Sequence, residues 1–235
     1  SKVKSDIDIF QIDDGYQSAT GDWLTIDNKK FPNGMKSVAD KIHSKGMLAG
    51  LWLAPFGAEF TSKTATQHHD WLIRKKNGHP VTCGINWGGF YALDIEVPEV
   101  KNYIKHFFDV ILNDWGFDLV KLDFLYAAAI IPNHGKSRGQ LMCEAMDFLR
   151  ECVGEKMILG CGVPLMPAFG KVDYCRIGAD MGLRWKVPFF SNREFISTYH
   201  TLGNSIFRRQ LDGRAFLNDP DVFLLRDENI HCTFE

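Results

Sequence analysis

The sequence lacks most of the features that would tie a protein to nucleic acid, a membrane or a metal. Its formal net charge is −2, which gives no electrostatic reason to expect nucleic acid or an anionic membrane surface. No apolar run approaches the ~20 residues that a membrane-spanning helix needs, and the first ten residues, SKVKSDIDIF, lack the apolar core of a signal peptide. The six cysteines form no CxxC pair and no dense framework, which favours free thiols over a zinc site or disulfides. We therefore expect a cytoplasmic protein with no metal and no cofactor.

The composition is that of an ordinary globular protein, with 45% hydrophobic and 24% charged residues among 235. Short apolar runs alternate with longer amphipathic segments, and this alternation predicts a parallel α/β architecture. Six runs are predicted to be strands: 7–12, 47–53, 117–122, 157–160, 174–177 and 215–217. Helices are predicted after Phe31, over 66–76, from Pro98 to Trp115, over 141–152 and over 192–202.

The stretch FDLVKLDFLY, at 117–126, is the feature around which the rest is organised. Lys121 and Asp123 interrupt a buried apolar strand, and because they are two residues apart they point to the same face. Charged side chains are rarely buried unless they are paired or functional. A neighbouring ammonium would keep Asp123 ionised, as a nucleophile requires. A structural ion pair between the two residues is the alternative interpretation.

Polar residues fall at the carboxyl ends of the predicted strands. A (β/α)8 barrel gathers such residues at one mouth, whereas a doubly wound sheet has a single switch point and usually a GxGxxG loop, which is absent here. We therefore predict a (β/α)8 TIM barrel. The strand-end residues that it would bring together are Asp13, Asp14, Trp52, Lys121, Asp123, Cys161, Arg176, Asp180 and Asp221. A Gly-rich, aromatic segment, 83–90, is a candidate lid over them.

Carboxylates on separate strands suit glycoside hydrolysis, which needs one carboxylate as nucleophile and another as acid and then base. Asp123 fits the ionised partner, and Asp180 the acid. A metal-dependent barrel enzyme that uses Asp13, Asp123 and Asp180 as ligands is a rival, but the adjacent Lys121 and the lack of a nearby His pair argue against it. This reasoning does not choose the sugar.

Seven motifs resemble the melibiase-type α-galactosidases, glycoside hydrolase family 36 and the related family 27, in the order and spacing of that family. They are QIDDGYQ at 11–17, GLWLAPF at 50–56, HHDWLIR at 68–74, ALDIEVPEV at 92–100, VKLDF at 120–124, RIGAD at 176–180 and NDPD at 218–221. The resemblance implies a retaining glycosidase that cleaves terminal α-galactosides of the melibiose and raffinose type. It implies that Asp123 is the nucleophile, that Asp180 is the acid/base, and that Arg176 lies on the 2-hydroxyl side of the sugar.

The resemblance also implies the residues that bind the substrate, an α-galactoside oligosaccharide. Asp13 and Asp14 would bind the 4-hydroxyl and 6-hydroxyl of galactose, and Lys121 the 3-hydroxyl and 4-hydroxyl. Trp52 would line the pocket, Asp221 would support it near the mouth, and Cys161 would lie where the 2-substituent is read. The residues after Cys161 depart from the Gly-rich pattern of the family, which leaves the preference for a 2-hydroxyl or a 2-N-acetyl sugar open.

Six predicted strands are two fewer than a complete barrel has. The family's first strand would precede Ile7 and its eighth would follow Asp221, and its flanking β-domains have no counterpart here. We therefore expect residues 1–235 to be a partial catalytic barrel of a longer enzyme, which could be oligomeric. The alternatives are an α-N-acetylgalactosaminidase, a raffinose-synthase-like transglycosylase, and an inactive fragment or non-catalytic sugar-binding relative.

Overall fold

The computed structural model describes residues 7–186 and 196–222, which form two sheets with helices packed outside the larger one. The parallel sheet contains β1 (Ile9–Ile12), β2 (Leu48–Leu53), β6 (Leu119–Leu122), β7 (Met157–Gly160), β8 (Tyr174–Arg176) and β9 (Leu217–Asp219). The smaller, antiparallel sheet contains β3 (Gly57–Glu59), β4 (Thr82–Gly84) and β5 (Phe90–Ala92). The helices are α1 (Gly34–His43), α2 (Lys63–Gln67), α3 (Pro98–Asp109), α4 (Arg138–Val153), α5 (Leu165–Ala168) and α6 (Thr198–Arg208).

The strand order confirms the predicted architecture. Within the described residues, the six parallel strands are hydrogen-bonded in the order β1-β2-β6-β7-β8-β9, and each crossover returns the chain to the next strand of the sheet. The six strands form an open, incomplete barrel, called the half-barrel below, which agrees with the prediction of an incomplete (β/α)8 fold. The antiparallel sheet is an excursion between β2 and β6 that follows the carboxyl end of β2.

The register of the large sheet places one row of side chains on its inner face. Successive strands contribute to this row Trp52, Lys121, Leu159, Tyr174 and Leu217. Because side chains alternate along a strand, residues two positions further on share the same face. The next row up therefore comes from Asp123, Cys161, Arg176 and Asp219, of which Arg176 and Asp219 are directly paired. The polar residues are thus concentrated in the top rows of an otherwise apolar face.

Helix α3 forms where its apolar pattern predicts, and it begins with Pro98 in the first turn. Its buried face continues through a π-helical turn, Val110–Asp114, before Gly116 changes the direction of the chain. Helix α4 begins at a capping box, in which the Ser137 and Gln140 side chains each bond the backbone of the other residue. The two helices pack against each other, α4 also contacts β7, and the buried residues of both belong to the same hydrophobic core.

Three predicted elements differ from the observed ones. The helix predicted over 66–76 is confined to α2 and a 3-10 turn at His69–Trp71, because Leu72 and Arg74 instead form antiparallel bridges to Leu93 and Pro80. The helix predicted over 192–202 is observed at Thr198–Arg208, capped by Ser197, and residues 192–195 lie outside the described part of the chain. The strand predicted over 215–217 is observed at Leu217–Asp219.

The described part of the chain contains no helix that is long and apolar enough to cross a membrane. Its cysteines are free thiols: Cys83, Cys143, Cys152, Cys161 and Cys175.

Candidate active site

The carboxyl ends of the six parallel strands meet at one edge of the half-barrel, and every strand-end residue singled out from the sequence lies there. Asp13 and Asp14 follow β1, and Trp52 is the next-to-last residue of β2. Asp123 and Cys161 directly follow β6 and β7. Arg176 ends β8, Asp180 lies four residues beyond it, and Asp221 lies two residues beyond β9. Contacts divide these residues into three groups, which are centred on Asp13, Asp123 and Arg176.

Asp13 and Lys121 form an ion pair at 2.8 Å, with the Lys121 side chain only 14% exposed. Gln11 Nε2 also donates to Asp13, at 2.8 Å, as does the backbone N–H of Asp14, at 2.9 Å. Partial burial by itself raises the pKa of Asp13, but the bond and charge of Lys121 and the other donors bring it below its usual value. Burial likewise opposes the charge of Lys121, and the bond to Asp13 raises its pKa. Both groups are therefore ionised at neutral pH.

The partner of Lys121 differs from the one that the sequence predicts. Lys121 and Asp123 share a face, but residues two apart on a strand are separated by about 6.6 Å along it. The lysine stem instead extends sideways across β2, and its ammonium bonds Asp13 at the end of β1. Lys121 thus contributes charge near Asp123 without bonding it.

The Asp123 carboxylate is held by two neutral N–H donors. The indole Nε1 of Trp52 donates to Oδ2 at 3.2 Å, and the backbone N–H of Phe124 donates to Oδ1 at 2.7 Å. Phe124 has a left-handed conformation, with φ of 52°. Gly162 lies so close that a Cβ there would stand 3.3 Å from Asp123 Oδ1. The carboxylate is thus oriented without an ion pair that would compete for its negative charge.

Arg176 is the centre of the third group and is almost fully buried, with 6% of its side chain exposed. Its guanidinium bonds Asp180 at 2.7 Å, Asp219 at 3.2 Å and Asp221 at 2.8 Å. Burial favours the neutral form of Arg176, but Cys161 and these carboxylates raise its pKa above the usual value. Of the three carboxylates, Asp180 is much the most exposed, at 66%. Asp180 is therefore the one that can reach a bound molecule.

Cys161 lies between the second and third groups. Burial, and then the negative charge of Asp123, raise the pKa of the thiol well above its usual range, while Arg176 and Lys121 oppose the shift. Cys161 is therefore a neutral thiol at pH 7 and cannot act as a thiolate.

Asp14 contacts two residues that the sequence reasoning did not single out. Gln17 Nε2 donates to Asp14 Oδ1 at 2.7 Å, and the indole Nε1 of Trp87 donates to Oδ2 at 2.8 Å. Gln17 lies within the first motif, so its spacing from Asp14 was a usable signal. Trp87 lies on the candidate lid, 73 residues away in sequence, and its contact depends on how the smaller sheet folds back. Movement of this segment as a lid stays a prediction.

Asp219 is the other residue that was missed, although it lies within the motif at 218–221. It is opposite Arg176 in the β8–β9 register, and a strand-end Asp beside a strand-end Arg is the signal that could have found it. No group of three or more His, Cys, Asp and Glu side chains among residues 7–186 and 196–222 is arranged to hold a metal ion.

Comparison with known proteins shows the family to which this chain belongs. A sequence model of the family described as Melibiase matches residues 1–145, which is more than half of the chain. The chain belongs to the melibiase family. The matched region includes Asp13, Asp14, Trp52, Lys121 and Asp123, whereas the Arg176 group lies beyond it.

Melibiase relatives extend the match to most of the chain. The α-galactosidase of Thermus thermophilus, solved in complex with stachyose, superposes with a TM-score of 0.85 at 35% identity, covering 96% of this chain and 49% of that one. The α-galactosidase of Escherichia coli is 32% identical over 156 residues, which are 62% of this chain and 21% of that protein. A Flavonifractor plautii protein named A type blood alpha-D-galactosamine galactosaminidase is 32% identical over 127 residues, 49% of this chain and 11% of that protein. This member of the melibiase family thus spans about half of the Thermus thermophilus chain and a smaller share of the other two.

Proposed function

We propose that the carboxyl edge of the half-barrel is the active site of a retaining glycosidase that cleaves terminal α-galactosides. The observation that carries the proposal is the contrast between two carboxylates on one edge. Asp123 is held by neutral donors from Trp52 and Phe124, whereas Asp180 is exposed beside the buried Arg176. Membership in the melibiase family supports galactose as the sugar that is released, since most of its similar relatives are named as α-galactosidases.

In the first step, an Asp123 oxygen would attack the anomeric carbon as the bond from that carbon to the leaving oxygen breaks. Asp180 would give its proton to the leaving oxygen. In the second step, water would attack the anomeric carbon of the galactosyl–enzyme, give a proton to Asp180, and release Asp123. The neutral donors on Asp123 suit this role, because they orient a carboxylate that must gain and then lose a covalent bond.

The binding groups would surround the sugar on three sides. The ionised pair of Asp13 and Lys121, together with Asp14, would receive the hydroxyls around C3, C4 and C6. Trp52, predicted to line the pocket, is only 2% exposed, so it would support Asp123 from beneath rather than contact the sugar. Cys161 and Arg176 would lie on the 2-hydroxyl side, with Asp221 holding Arg176 in place. A fixed array of charged and polar groups of this kind discriminates sugars by the orientation of their hydroxyls.

Azide separates the two carboxylate roles. Asp123→Gly should abolish hydrolysis of 4-nitrophenyl α-galactoside, and added azide should restore cleavage by attacking from the vacated side, to give β-galactosyl azide. Asp180→Gly should retain the first step with this good leaving group, and azide should then replace water and give α-galactosyl azide. Product configuration is measured by NMR. Near-normal activity of Asp123→Gly, or azides of the opposite configurations, would refute the assignment.

A glycosidase for galactosides with nitrogen at C2, such as an α-N-acetylgalactosaminidase, is the second candidate, because the name of the Flavonifractor plautii relative gives α-D-galactosamine as its sugar. The residues after Cys161, where the 2-substituent would be read, form the short helix α5 with Met166 exposed. A higher kcat/KM for the 4-nitrophenyl glycoside of N-acetyl-α-galactosamine than for that of α-galactose would establish this alternative.

A further inference from the structure

The turn between β4 and β5 is built in an uncommon way to bring one indole to the active-site edge. Trp87 has a left-handed backbone, with φ of 55° and ψ of 27°, which is an outlier for a bulky residue. The next two residues, Gly88 and Gly89, also have positive φ, of 79° and 118°. A Cβ on Gly89 would stand 2.2 Å from the ring of Phe60, so only glycine fits there. Strain of this kind persists where the surrounding structure imposes it, and it is concentrated at functional sites.

The Trp87 ring is fixed on several sides by other aromatic rings. Its centroid lies 5.0 Å from that of Phe124, 5.4 Å from that of Phe90 and 5.9 Å from that of Trp52. Phe124 follows the proposed nucleophile, and Trp52 bonds it. The position of the Trp87 indole is therefore coupled to the same framework that holds Asp123.

The indole N–H is directed at Asp14, whose carboxylate is otherwise exposed. Trp87 donates to one oxygen at 2.8 Å and Gln17 to the other at 2.7 Å, so each oxygen has one neutral donor. A carboxylate has about four acceptor positions, which leaves lone pairs on both oxygens for hydroxyls of a ligand. Without Trp87, the carboxylate would lose the donor that sets its orientation on the side of the candidate lid.

We propose that Trp87 is a specificity-determining positioning residue that aims Asp14 at the 6-hydroxyl of a galactoside. This inference rests on the proposed function. The predicted ligand class is an α-galactoside with a free 6-hydroxyl. Trp87 acts through Asp14. Its loss should therefore lower kcat/KM only for sugars that carry the hydroxyl that Asp14 binds.

The test compares Trp87→Phe on two substrates, 4-nitrophenyl α-galactoside and its 6-deoxy analogue, 4-nitrophenyl α-D-fucoside. Phenylalanine keeps most of the ring packing but removes the N–H donor. A hydrogen bond to a charged group controls about a 10- to 100-fold change in binding. We therefore expect kcat/KM to fall about 10- to 100-fold for the galactoside and less than about threefold for the 6-deoxy analogue.

Gln17→Met removes the donor on the other Asp14 oxygen and should show the same selectivity, so the test does not depend on how well the Trp87 turn folds. Trp71→Phe is the matched control, because the Trp71 ring packs on His68, at 3.9 Å, and Tyr103, at 5.4 Å, rather than on Trp87. It should leave both substrates unaffected.

Three outcomes are distinguishable. A loss confined to the galactoside supports the proposal. An equal loss on both substrates in Trp87→Phe and Gln17→Met shows a merely structural role and overturns it, while the proposed function stands. A wild-type enzyme that is inactive on both substrates overturns the proposed function, and this inference with it.

Discussion

Replacing Gly162 by alanine tests how tightly the proposed nucleophile is held. Gly162 follows Cys161 at the end of β7, and its carbonyl accepts the backbone N–H of Tyr126 at 2.8 Å. It has φ of +59°, and a Cβ there would lie 3.0 Å from Phe124 N, 3.1 Å from Phe124 Cα and 3.3 Å from Asp123 Oδ1. The two closest atoms belong to backbone, which cannot move aside as a flexible side chain can.

Two costs add in this variant. A left-handed conformation costs an L-residue about 1–2 kcal/mol relative to glycine. Overpacking against a fixed neighbour costs about 1–3 kcal/mol more. The free energy of unfolding should therefore fall by about 2–5 kcal/mol. If relaxation moves Asp123 by a few tenths of an ångström, kcat for an α-galactoside should also fall about tenfold, since a 1 Å misplacement can cost about 100-fold.

Gly170→Ala is the matched control, because Gly170 also has a positive φ, of 68°, but no atom within 4 Å of a Cβ at its position. It carries the backbone cost alone. Urea unfolding of both variants, followed by fluorescence, isolates the contact cost as the difference between them, which should be about 1–3 kcal/mol. Equal destabilisation of the two variants, with unchanged kcat in Gly162→Ala, would refute the idea that Gly162 is needed for close approach to Asp123.

Two further predictions concern pH. Burial raises the pKa of Asp118, but donors that include the N–H of Ala49 and His43 bring it below its usual value, so its stabilising contribution is present above the unfolded pKa of about 3.9 and is lost as pH falls through the folded value. Asp118→Asn should lower the free energy of unfolding by about 1–2 kcal/mol at pH 7, and the difference from wild type should shrink as pH falls below about 3.9, as measured by urea unfolding over a pH series. Lys121→Met should let burial raise the pKa of Asp13, so the acid limb of kcat/KM against pH should move to higher pH; an unmoved limb would show that Asp13 does not control it.

Local pattern was enough to predict the incomplete parallel barrel and the edge at which the candidate site residues lie. Apolar runs of strand length alternate with amphipathic segments, and parallel strands place their carboxyl ends together, so the strand-end polar residues could be assigned to one edge before any contact was known. The strand at Met157–Gly160 and the start of α3 at Pro98 were predicted to the residue. The order and spacing of the motifs predicted the family, and the match to the melibiase family model confirmed it.

What only the tertiary structure decided is which polar group contacts which. Lys121 lies two residues from Asp123 in sequence, yet it bonds Asp13, 108 positions away. Trp87 reaches Asp14 from an excursion that sequence pattern described only as Gly-rich and aromatic, and Arg176 pairs with Asp219 across the β8–β9 register. Such contacts depend on sheet curvature and on how far a side chain extends sideways. Alternation along a strand determines the face that a residue occupies, but the neighbour that it bonds is set by the strands packed beside it.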